Sequence, residues 1–495
     1  MVVGSNPATP TNSTGIRKVW FNPPGLGPGD RRFESYIPDQ FIEYPHMLNK
    51  YSCMTKEHNL NSNPTFCMLG LLHTYVSPNG NVMPCCVGDM SKESLGNINE
   101  VSDWNSVWNG ERYKEFRKNM VQGEKNPACS FCYDTEKFSK TSARTIANAN
   151  YSKDYDEYMD KLLPSGELKT SKLKYLDFRF TNKCNQACIT CGHDLSSSWF
   201  DLMNKLGYPV TGSKFIEPQD KSIAYKLIDD NIESVETIYF AGGEPLLSEY
   251  HWYTLDRLVE NNRCKEVELR YSSNCSTLRY KDKHILDYWK QFKSVVVIAS
   301  VDEVHDRFNY IRWPGDWEAI SNNLKKIQES FEQISEMTHL LVYSPVISSL
   351  NAHRLKEIIQ EIIDKQAYQF SIAQDKNVLF EYFLFCNLLR NPNHLSIINM
   401  PQEHWEMVEQ SLDEFQVWYC DTIIANTEYY VVKKEMLNEG INKVKELRKM
   451  NQQDMEFFDK PTEDYLKHMR EYSNMDRVRG TDFMKTFPEL GWLYK

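Results

Sequence analysis

The sequence lacks the features of a membrane, secreted or nucleic-acid-binding protein. No apolar run reaches the length of a transmembrane helix, and the first residues have neither the charged start nor the apolar stretch of a signal peptide. Positive charge is not in excess, since 57 Lys and Arg residues face 68 Asp and Glu residues and the formal net charge is -11. Broad binding to nucleic-acid phosphates requires clustered Lys and Arg. We therefore expect a cytoplasmic protein with no membrane partner, for which nucleic acid is a disfavoured partner.

The composition itself is that of an ordinary globular protein. Hydrophobic residues make up 41% and charged residues 25% of the 495 residues, which is enough chain for two or three domains. Residues 1–45 differ from the rest, because Pro, Gly, Asn and Ser dominate them without a sustained periodicity. We expect this segment to be disordered or a spurious upstream extension, and our hypothesis is that translation starts at Met47.

The 13 cysteines carry the strongest chemical signal in the composition. In a large chain without an export signal, cysteines point to metal ligands rather than to disulfide bonds. Seven of them fall in groups that have the spacing of metal ligands. Five others are isolated in the sequence, and we expect them to be core or surface residues: Cys53, Cys264, Cys275, Cys386 and Cys420.

Three cysteines follow an apolar run with the spacing C-x3-C-x2-C: Cys184, Cys188 and Cys191. A loop this short cannot form two disulfide bonds, whereas three thiolates that converge from one turn can bind three irons of a cubane iron–sulfur cluster. The fourth iron then has no protein ligand and is open to a small molecule. A zinc site that also uses His193, or a group of buried thiols, is the alternative interpretation.

A second motif, Gly242, Gly243, Glu244 and Pro245, follows a β-rich run further along the chain, as at the end of the next strand of a βαβ unit. Together with the cysteine triplet, it resembles the radical S-adenosylmethionine (SAM) enzymes. In that family the glycines allow close backbone approach, and a carboxylate at the position of Glu244 meets the SAM ammonium group. The resemblance therefore implies that Gly242, Gly243 and Glu244 bind SAM.

The resemblance extends to polar residues that follow later apolar runs. Asn274 ends the stretch YSSN, where relatives have a threonine-asparagine-glycine segment beside SAM. Ser300, Asp302 and Arg312 stand where relatives have a serine-x-aspartate and a later arginine, which implies contacts with the ribose and carboxylate of SAM. Each could instead be a helix cap or a surface charge. The chain departs from the family pattern in the residue that often packs on adenine and in the glycine after the asparagine, at Thr190 and Cys275.

A cysteine-rich block precedes these motifs. Residues 71–85 alternate in polarity around Pro78, Asn79 and Gly80, which predicts a β-hairpin with its turn at these three residues. Such a hairpin brings Cys67 and Cys85 close together. We expect these two thiols to belong to one metal site.

A helical pattern from Val107 to Met120 then leads to Cys129 and Cys132, a pair that can converge on one metal. With twelve residues between Cys67 and Gly80, the block resembles the SPASM or twitch auxiliary-cluster module, in the order typical of twitch-domain-containing radical SAM proteins. The resemblance implies a second, auxiliary iron–sulfur cluster, expected to be 4Fe-4S. The implied ligands are Cys67, Cys85, Cys129 and Cys132, with Cys86 as the alternative to Cys85. Structural zinc held by four cysteines is the other interpretation of this site.

Between Leu173 and Met400, short apolar runs alternate with helical stretches, which is typical of repeated βα units around a parallel sheet. The predicted strands are Leu173–Phe180, Thr237–Ala241, Glu266–Ser272, Ser294–Ser300, His339–Pro345 and Leu379–Phe385. We therefore expect an α/β fold with a partial (β/α)6 TIM-type barrel, preceded by a small α+β auxiliary-cluster module and followed by a helical tail. The expected domains are 46–150 for the module, 165–400 for the radical SAM barrel and 401–495 for the tail.

The resemblance implies reductive cleavage of SAM at the open-iron 4Fe-4S cluster to methionine and a 5′-deoxyadenosyl radical, which abstracts hydrogen from a substrate. The implied partners are a reductant such as flavodoxin or ferredoxin and a peptide or protein substrate. Two alternatives stay open at this point. One is a non-catalytic iron–sulfur or zinc scaffold, and the other is radical modification of a nucleotide or RNA.

Overall fold

The computed structural model describes residues 60–90, 92–137, 142–208, 210–334 and 339–365, parts of 388–424 and 441–449, and residues 472–494. The segment 1–45 and the predicted strand Leu379–Phe385 lie outside the described residues. Within the described part of the chain, no helix is both long enough and apolar enough to cross a membrane.

The strands form one large mixed sheet and a separate two-stranded ribbon. They are β1 (His73–Val76), β2 (Asn81–Met83), β3 (Gly96–Asn97), β4 (Tyr175–Phe178), β5 (Thr237–Phe240), β6 (Glu268–Ser273), β7 (Arg279–Tyr280), β8 (Lys283–His284), β9 (Ser294–Ala299) and β10 (His339–Tyr343). The α-helices between residues 198 and 365, which accompany the parallel strands, are Ser198–Lys205, Lys221–Asn231, Glu249–Glu260, Ile285–Trp289, His305–Ile311, Trp317–Glu332 and Leu355–Lys365. The α-helices outside this range include Leu69–Leu72, Trp104–Trp108, Glu111–Gln122, Ser130–Thr135, Ala143–Asn150, Tyr155–Met159, Gln402–Trp418 and Phe483–Thr486.

The strands β4, β5, β6, β9 and β10 pair in parallel, in chain order, and match five of the six predicted strands. All of Ser294–Ala299 is buried, as expected of a parallel strand that helices cover, whereas buried and half-buried residues alternate along β6. Parallel strands joined by helices confirm the predicted α/β class, and helix Gln402–Trp418 confirms a helical C-terminal region. Among the described residues these strands form an open sheet that ends at β10.

The predicted hairpin is present, with β1 and β2 antiparallel on either side of Gly80 at φ 83°. The sequence did not predict which strand of the sheet this hairpin pairs with. Strand β1 pairs in parallel with β4, with His73 opposite Tyr175 and Val76 opposite Phe178. The cysteine-rich block and the strand that leads into the cysteine triplet therefore share one sheet.

The helical pattern predicted from Val107 to Met120 forms two helices rather than one. Trp104–Trp108 ends at Asn109, and Glu111–Gln122 begins after Gly110, whose backbone is extended. Asn109 leaves the helical conformation because its side chain accepts from the backbone NH of Leu168 at 3.0 Å and donates to the Leu168 carbonyl. Hydropathy periodicity alone does not reveal such a break, since both helices bury apolar residues on the same core.

Candidate active site and auxiliary cluster site

The loop that carries the cysteine triplet begins directly after β4 and is fixed by the buried Asn182. Its side-chain amide donates to the carbonyl oxygens of His193 at 2.8 Å and Lys214 at 3.2 Å, and its Oδ1 accepts from the backbone NH of Ile216 at 2.9 Å. A buried amide that makes all these bonds is held in one orientation. Asn182 therefore ties both ends of the loop to the 214–216 segment.

The cysteines themselves are held through their backbone groups. Ser197 Oγ accepts from the NH of Cys184 at 3.1 Å, and Trp199 Nε1 donates to the carbonyl oxygen of Cys188 at 3.0 Å. The carbonyl oxygen of Ile311 accepts from the NH of Ile189 at 2.8 Å. The thiols themselves make only long contacts, of 3.8 Å from Cys188 Sγ to Gln186 Oε1 and 3.7 Å from Cys191 Sγ to the Gly192 carbonyl oxygen. His193, considered as a zinc ligand, faces the Lys214 carbonyl oxygen through Nε2 at 3.4 Å.

The three thiols lie within electrostatic range of one another. Burial, followed by the charge of Cys188, raises the pKa of Cys184 to about 12, and burial followed by Cys188 and Cys184 raises the pKa of Cys191. Thiolates are the form that binds metal. Positive charge is needed to stabilise three of them in such a place, and an iron–sulfur cluster supplies it. The donor set therefore fits a cluster with one open iron.

The Gly-Gly-Glu motif after β5 packs directly on the backbone of the cysteine loop. The NH of Gly243 donates to the carbonyl oxygen of Thr181 at 3.2 Å, and the NH of Glu244 donates to that of Lys183 at 2.7 Å. A Cβ atom at Gly243 would lie 2.3 Å from the Lys183 carbonyl oxygen. Only glycine allows this approach. The two motifs that are far apart in the sequence thus form one structural unit.

Gly243→Ala is expected to lower the free energy of unfolding by about 1–3 kcal/mol, because the new methyl group overlaps backbone rather than a flexible side chain. Chemical denaturation of the apoprotein measures this. Gly491→Ala is the matched control, since its Cβ approaches only the end of the Met484 side chain, at 3.0 Å. Equal stability of the two variants would contradict the close approach of the two loops.

Glu244 is a buried carboxylate at the junction of three elements. Its Oε1 accepts from Ser273 Oγ at 2.8 Å and from the NH of Leu246 at 3.2 Å, and its Oε2 accepts from the NH of Asn274 at 2.8 Å. Burial raises its pKa to about 7 despite these bonds, which favour the ionised form. A carboxylate in this state gains from a cationic partner. The site is therefore prepared for an amine or ammonium group.

The pKa of Glu244 predicts a pH dependence of stability in the apoprotein. The folded-state pKa of Glu244 is raised from 4.5 to about 7. The stabilising contribution of Glu244 to the free energy of unfolding is therefore complete below pH 4.5 and is lost as the pH rises through 7. The shift corresponds to about 3 kcal/mol. Relative to Glu244→Gln, the wild type should lose up to about 3 kcal/mol of unfolding free energy between pH 4.5 and 8. Parallel pH profiles of the two proteins would contradict a buried, protonated Glu244.

The other predicted SAM contacts surround the same loops. Asn274 Nδ2 lies 3.9 Å from Cys184 Sγ, and Arg312 Nη1 lies 3.9 Å from Cys188 Sγ. Arg312 and Asp302 form a buried ion pair of 2.8 Å between Nε and Oδ2. Ser300 is bound to the Ser273 carbonyl oxygen through its backbone NH, at 2.9 Å. Asn274 and Arg312 therefore reach the thiols, whereas Asp302 faces Arg312.

The departure at Cys275 has a visible backbone consequence. Cys275 has φ 53°, a left-handed conformation that glycine adopts without cost and a cysteine does not. Its buried thiol donates to the Ser273 carbonyl oxygen at 3.7 Å. The glycine that relatives have at this position is thus explained by the turn, which this chain keeps. Thr190, the other departure, is buried in the cysteine loop.

The second group of cysteines lines a pocket between the hairpin and the helices around it. Its lining includes Cys67, Cys85, Cys129 and Cys132. Burial raises the pKa of Cys67 to about 11 and that of Cys132 to about 12, and it raises the pKa of Cys85 further. Four thiols around one pocket, of which Cys85 and Cys132 are buried and Cys67 and Cys129 partly buried, fit a closed metal cluster, since a metal supplies the positive charge that thiolates need.

Cys86 is not among the residues that line this pocket. It packs instead near Tyr75 and Met83, and its charge acts on Tyr175 and Arg179 on the sheet. The NH of Gly88 donates to the Cys85 carbonyl oxygen at 3.1 Å and closes a turn after Cys85. Geometry therefore favours Cys85 over Cys86 as the fourth thiol of the set.

Sequence reasoning missed the buried arginine beside each cysteine group. Arg144 pairs with Glu136 at 2.7 Å, donates to the Phe66 carbonyl oxygen at 2.9 Å and lies in range of the charges of Cys67 and Cys132. Arg479 donates to a carbonyl oxygen of the triplet loop. No local pattern marks either arginine, because each reaches its cysteines through the tertiary fold.

No group of three or more His, Cys, Asp or Glu side chains in the described ranges could hold a single metal ion. A cubane cluster sets a different requirement. Each thiolate ligates its own iron, so that the sulfur atoms stand further apart than four ligands of one zinc ion.

Two family models match the chain. Residues 178–362 match the radical SAM superfamily, and residues 67–133 match SPASM, an iron-sulfur cluster-binding domain. The first implies a 4Fe-4S cluster and SAM, and the second implies auxiliary iron–sulfur binding. Both matched segments contain the cysteine groups described above. A search among curated proteins gave no match.

Similar solved structures include native anSMEcpe with bound AdoMet, at 14% sequence identity and a TM-score of 0.33. The similarity covers 51% of this chain and 63% of that one. The same protein with AdoMet and the Kp18Cys peptide gives 15% identity and a TM-score of 0.32, over 51% and 62% of the two chains. The chain thus spans less than two thirds of these structures, and similarity at this level supports no argument about function.

Proposed function

Because the chain carries a radical SAM domain and a SPASM iron–sulfur domain, we propose that it reductively cleaves SAM at a 4Fe-4S cluster and abstracts hydrogen from a peptide or protein. The observation that carries this proposal is the contact between the two motifs. Backbone bonds from Gly243 and Glu244 to the loop before Cys184 join an open-iron triplet to a buried carboxylate. A scaffold that binds metal has no use for this carboxylate.

In this proposal Cys184, Cys188 and Cys191 bind the cluster, and one face of the site is left to SAM. When bound, cluster and SAM together supply the one-electron cleavage that gives methionine and a 5′-deoxyadenosyl radical. Gly242 and Gly243 provide close backbone approach, and Glu244 accepts from the SAM amine. The remaining proposed contacts are Asn274, Ser300, Asp302 and Arg312.

The ion pair between Asp302 and Arg312 supports a different role for each side chain. Oδ1 of Asp302 accepts from the NH of Val346 at 2.8 Å, and Oδ2 pairs with Arg312, so that the carboxylate orients the guanidinium group. Arg312 then presents Nη1 toward Cys188. We assign Arg312 the direct contact with a carboxylate of SAM or with the cluster edge, and we assign Asp302 the role of holding it there.

For the auxiliary site we propose Cys67, Cys85, Cys129 and Cys132 as ligands of a 4Fe-4S cluster. Four thiolates leave no iron open, so that electron transfer suits this cluster better than ligation of substrate. The pairing of β1 with β4 puts both sites on one sheet. We propose 46–150 and 165–400 as the auxiliary and radical SAM domains, and 401–495 as the C-terminal extension.

The proposed partners are an external one-electron reductant of the flavodoxin or ferredoxin class and a peptide or protein substrate in the cytoplasm. The substrate class rests on the SPASM resemblance. A formal net charge of -11 gives no support to an RNA substrate, because clustered positive charge is what binds phosphates.

Electron paramagnetic resonance of the reduced, anaerobically reconstituted protein tests the open iron. Addition of SAM is expected to change the signal of one cluster and to leave the other unchanged, because only the triplet leaves an iron without a thiolate. A spectrum that SAM does not alter would contradict the proposed function.

A further inference from the structure

The C-terminal residues 472–487 pack on the region that supports the cysteine triplet. The rings of Phe483 and Phe487 lie 5.8 and 5.4 Å from that of Tyr310, measured between centroids. Nε1 of Trp313 donates to the carbonyl oxygen of Arg479 at 3.3 Å. The segment contains no cysteine, so it provides no thiolate ligand. Its residues therefore act on the triplet by other means.

Arg479 is the residue of this segment that reaches the triplet. Its side chain is buried, with the guanidinium carbon 5.5 Å from the ring centroid of Trp199 and 5.3 Å from that of Trp313. Nη2 donates to the carbonyl oxygen of Ala187 at 2.8 Å. Ala187 directly precedes Cys188, so this bond fixes the loop between two of the proposed cluster ligands.

Two nitrogen atoms of the guanidinium group are not used in hydrogen bonds. Nε and Nη1 of Arg479 are buried, and neither has a hydrogen-bond partner in the described part of the chain. The two carboxylates nearest in sequence are used elsewhere: Asp476 accepts from Thr481 Oγ1 at 2.6 Å and from the NH of Phe483 at 2.8 Å, and Asp482 accepts from the NH of Lys485 at 3.0 Å. A buried donor without a partner costs free energy and is kept where a ligand or a function uses it.

The charge of Arg479 acts on the triplet. The positive charges of Arg312 and Arg479 both act on the Cys188 thiol. The charge of Arg312 is balanced by Asp302. Burial lowers the pKa of Arg479 only to about 10, so that the side chain is a cation at neutral pH. Arg479 is therefore the cation beside Cys188 whose charge no ion pair among the described residues balances.

We infer that the C-terminal segment 476–487 is part of the SAM-cluster site and that Arg479 is a positioning residue, which holds the Ala187 carbonyl and stabilises the reduced cluster by its charge. This inference rests on the proposed function. Reduction by an external donor adds one electron to a cluster that three thiolates already make anionic. A buried cation near a ligand favours the state with the additional negative charge, and it thus raises the reduction potential.

Potentiometric titration of the reconstituted full-length protein, followed by electron paramagnetic resonance, tests the inference. The signal that SAM alters identifies the cluster of the triplet. Arg479→Gln is expected to lower its midpoint potential by about 59 mV, which is a tenfold shift in a one-electron equilibrium. Arg479→Lys keeps the charge and should retain most of the wild-type potential.

Arg307→Gln is the matched control. It removes a bidentate ion pair with Glu489, which follows the segment 476–487, and leaves in place the bond from Arg479 to the Ala187 carbonyl oxygen. Its midpoint potential should equal that of the wild type. An unchanged potential in Arg479→Gln, at full iron content, would overturn the inference but not the proposed function. A wild type without a SAM-sensitive signal would overturn the proposed function itself.

Arg479→Gln could fail to bind iron at the triplet. If Arg479→Lys then restores the iron, the inference is supported. If both variants lose iron, hydrogen exchange of the wild-type protein tests whether segment 476–487 belongs to the cluster site. Peptides from 476–487 should exchange faster after iron is chelated, whereas those from Trp317–Glu332 should not change. Equal protection of 476–487 with and without the cluster would then refute the assignment.

Discussion

Replacement of Cys184 by alanine is expected to abolish SAM cleavage. The variant retains two of the three thiols that we assign to the cluster, and two thiolates do not fix a cubane with one open iron. The rate of 5′-deoxyadenosine formation should fall by more than about a hundredfold, which is the upper range for loss of an outer-shell partner at a metal site. Quantification of 5′-deoxyadenosine by mass spectrometry after anaerobic reconstitution and reduction measures the effect.

Cys264→Ala is the matched control, because Cys264 is a buried cysteine in the turn between helix Glu249–Glu260 and β6 and belongs to neither cysteine group. It should keep the wild-type iron content and rate. Full cleavage activity in Cys184→Ala would show that the cluster assignment is wrong.

Cys129→Ala is expected to lower the iron content from about eight to about four atoms per chain, because it opens the second site and leaves the triplet intact. Metal analysis together with the visible absorbance of the reconstituted protein gives this number. SAM cleavage without substrate should persist in the variant, since the triplet still binds its cluster. If metal analysis finds zinc rather than iron at this site, the structural zinc interpretation is favoured.

Cys86→Ala provides the comparison within the same loop. Cys86 lies outside the pocket that Cys85 lines, so that its loss should leave the iron content unchanged, whereas Cys85→Ala should behave like Cys129→Ala. The opposite result would make Cys86 the ligand. Unchanged iron in both Cys85→Ala and Cys129→Ala would refute the auxiliary cluster site as we assign it.

Local patterns predicted much of this molecule. The five described parallel strands fall within or close to the predicted runs. Fully buried strands such as β9 have continuous apolar sequence. The hairpin followed from the Pro78 to Gly80 turn. The site motifs were visible because metal chemistry requires particular residues at short spacings.

Features that depend on tertiary contacts could not be predicted in the same way. The pairing of β1 with β4 is one example, since two strands about a hundred residues apart carry no signal for their alignment. The helix break at Asn109 depends on bonds to Leu168, and the position of Arg479 depends on Trp199 and Trp313. Asp302 pairs with Arg312, a relation that sequence spacing does not show, and its predicted contact with SAM stays a prediction.

Formation of 5′-deoxyadenosine by the wild type tests the central claim most directly. The protein is reconstituted anaerobically to about eight irons per chain, reduced and incubated with SAM. We expect equimolar 5′-deoxyadenosine and methionine, above the level of the unreduced sample. Correct iron loading with no 5′-deoxyadenosine would contradict the radical mechanism and favour a non-catalytic iron–sulfur scaffold.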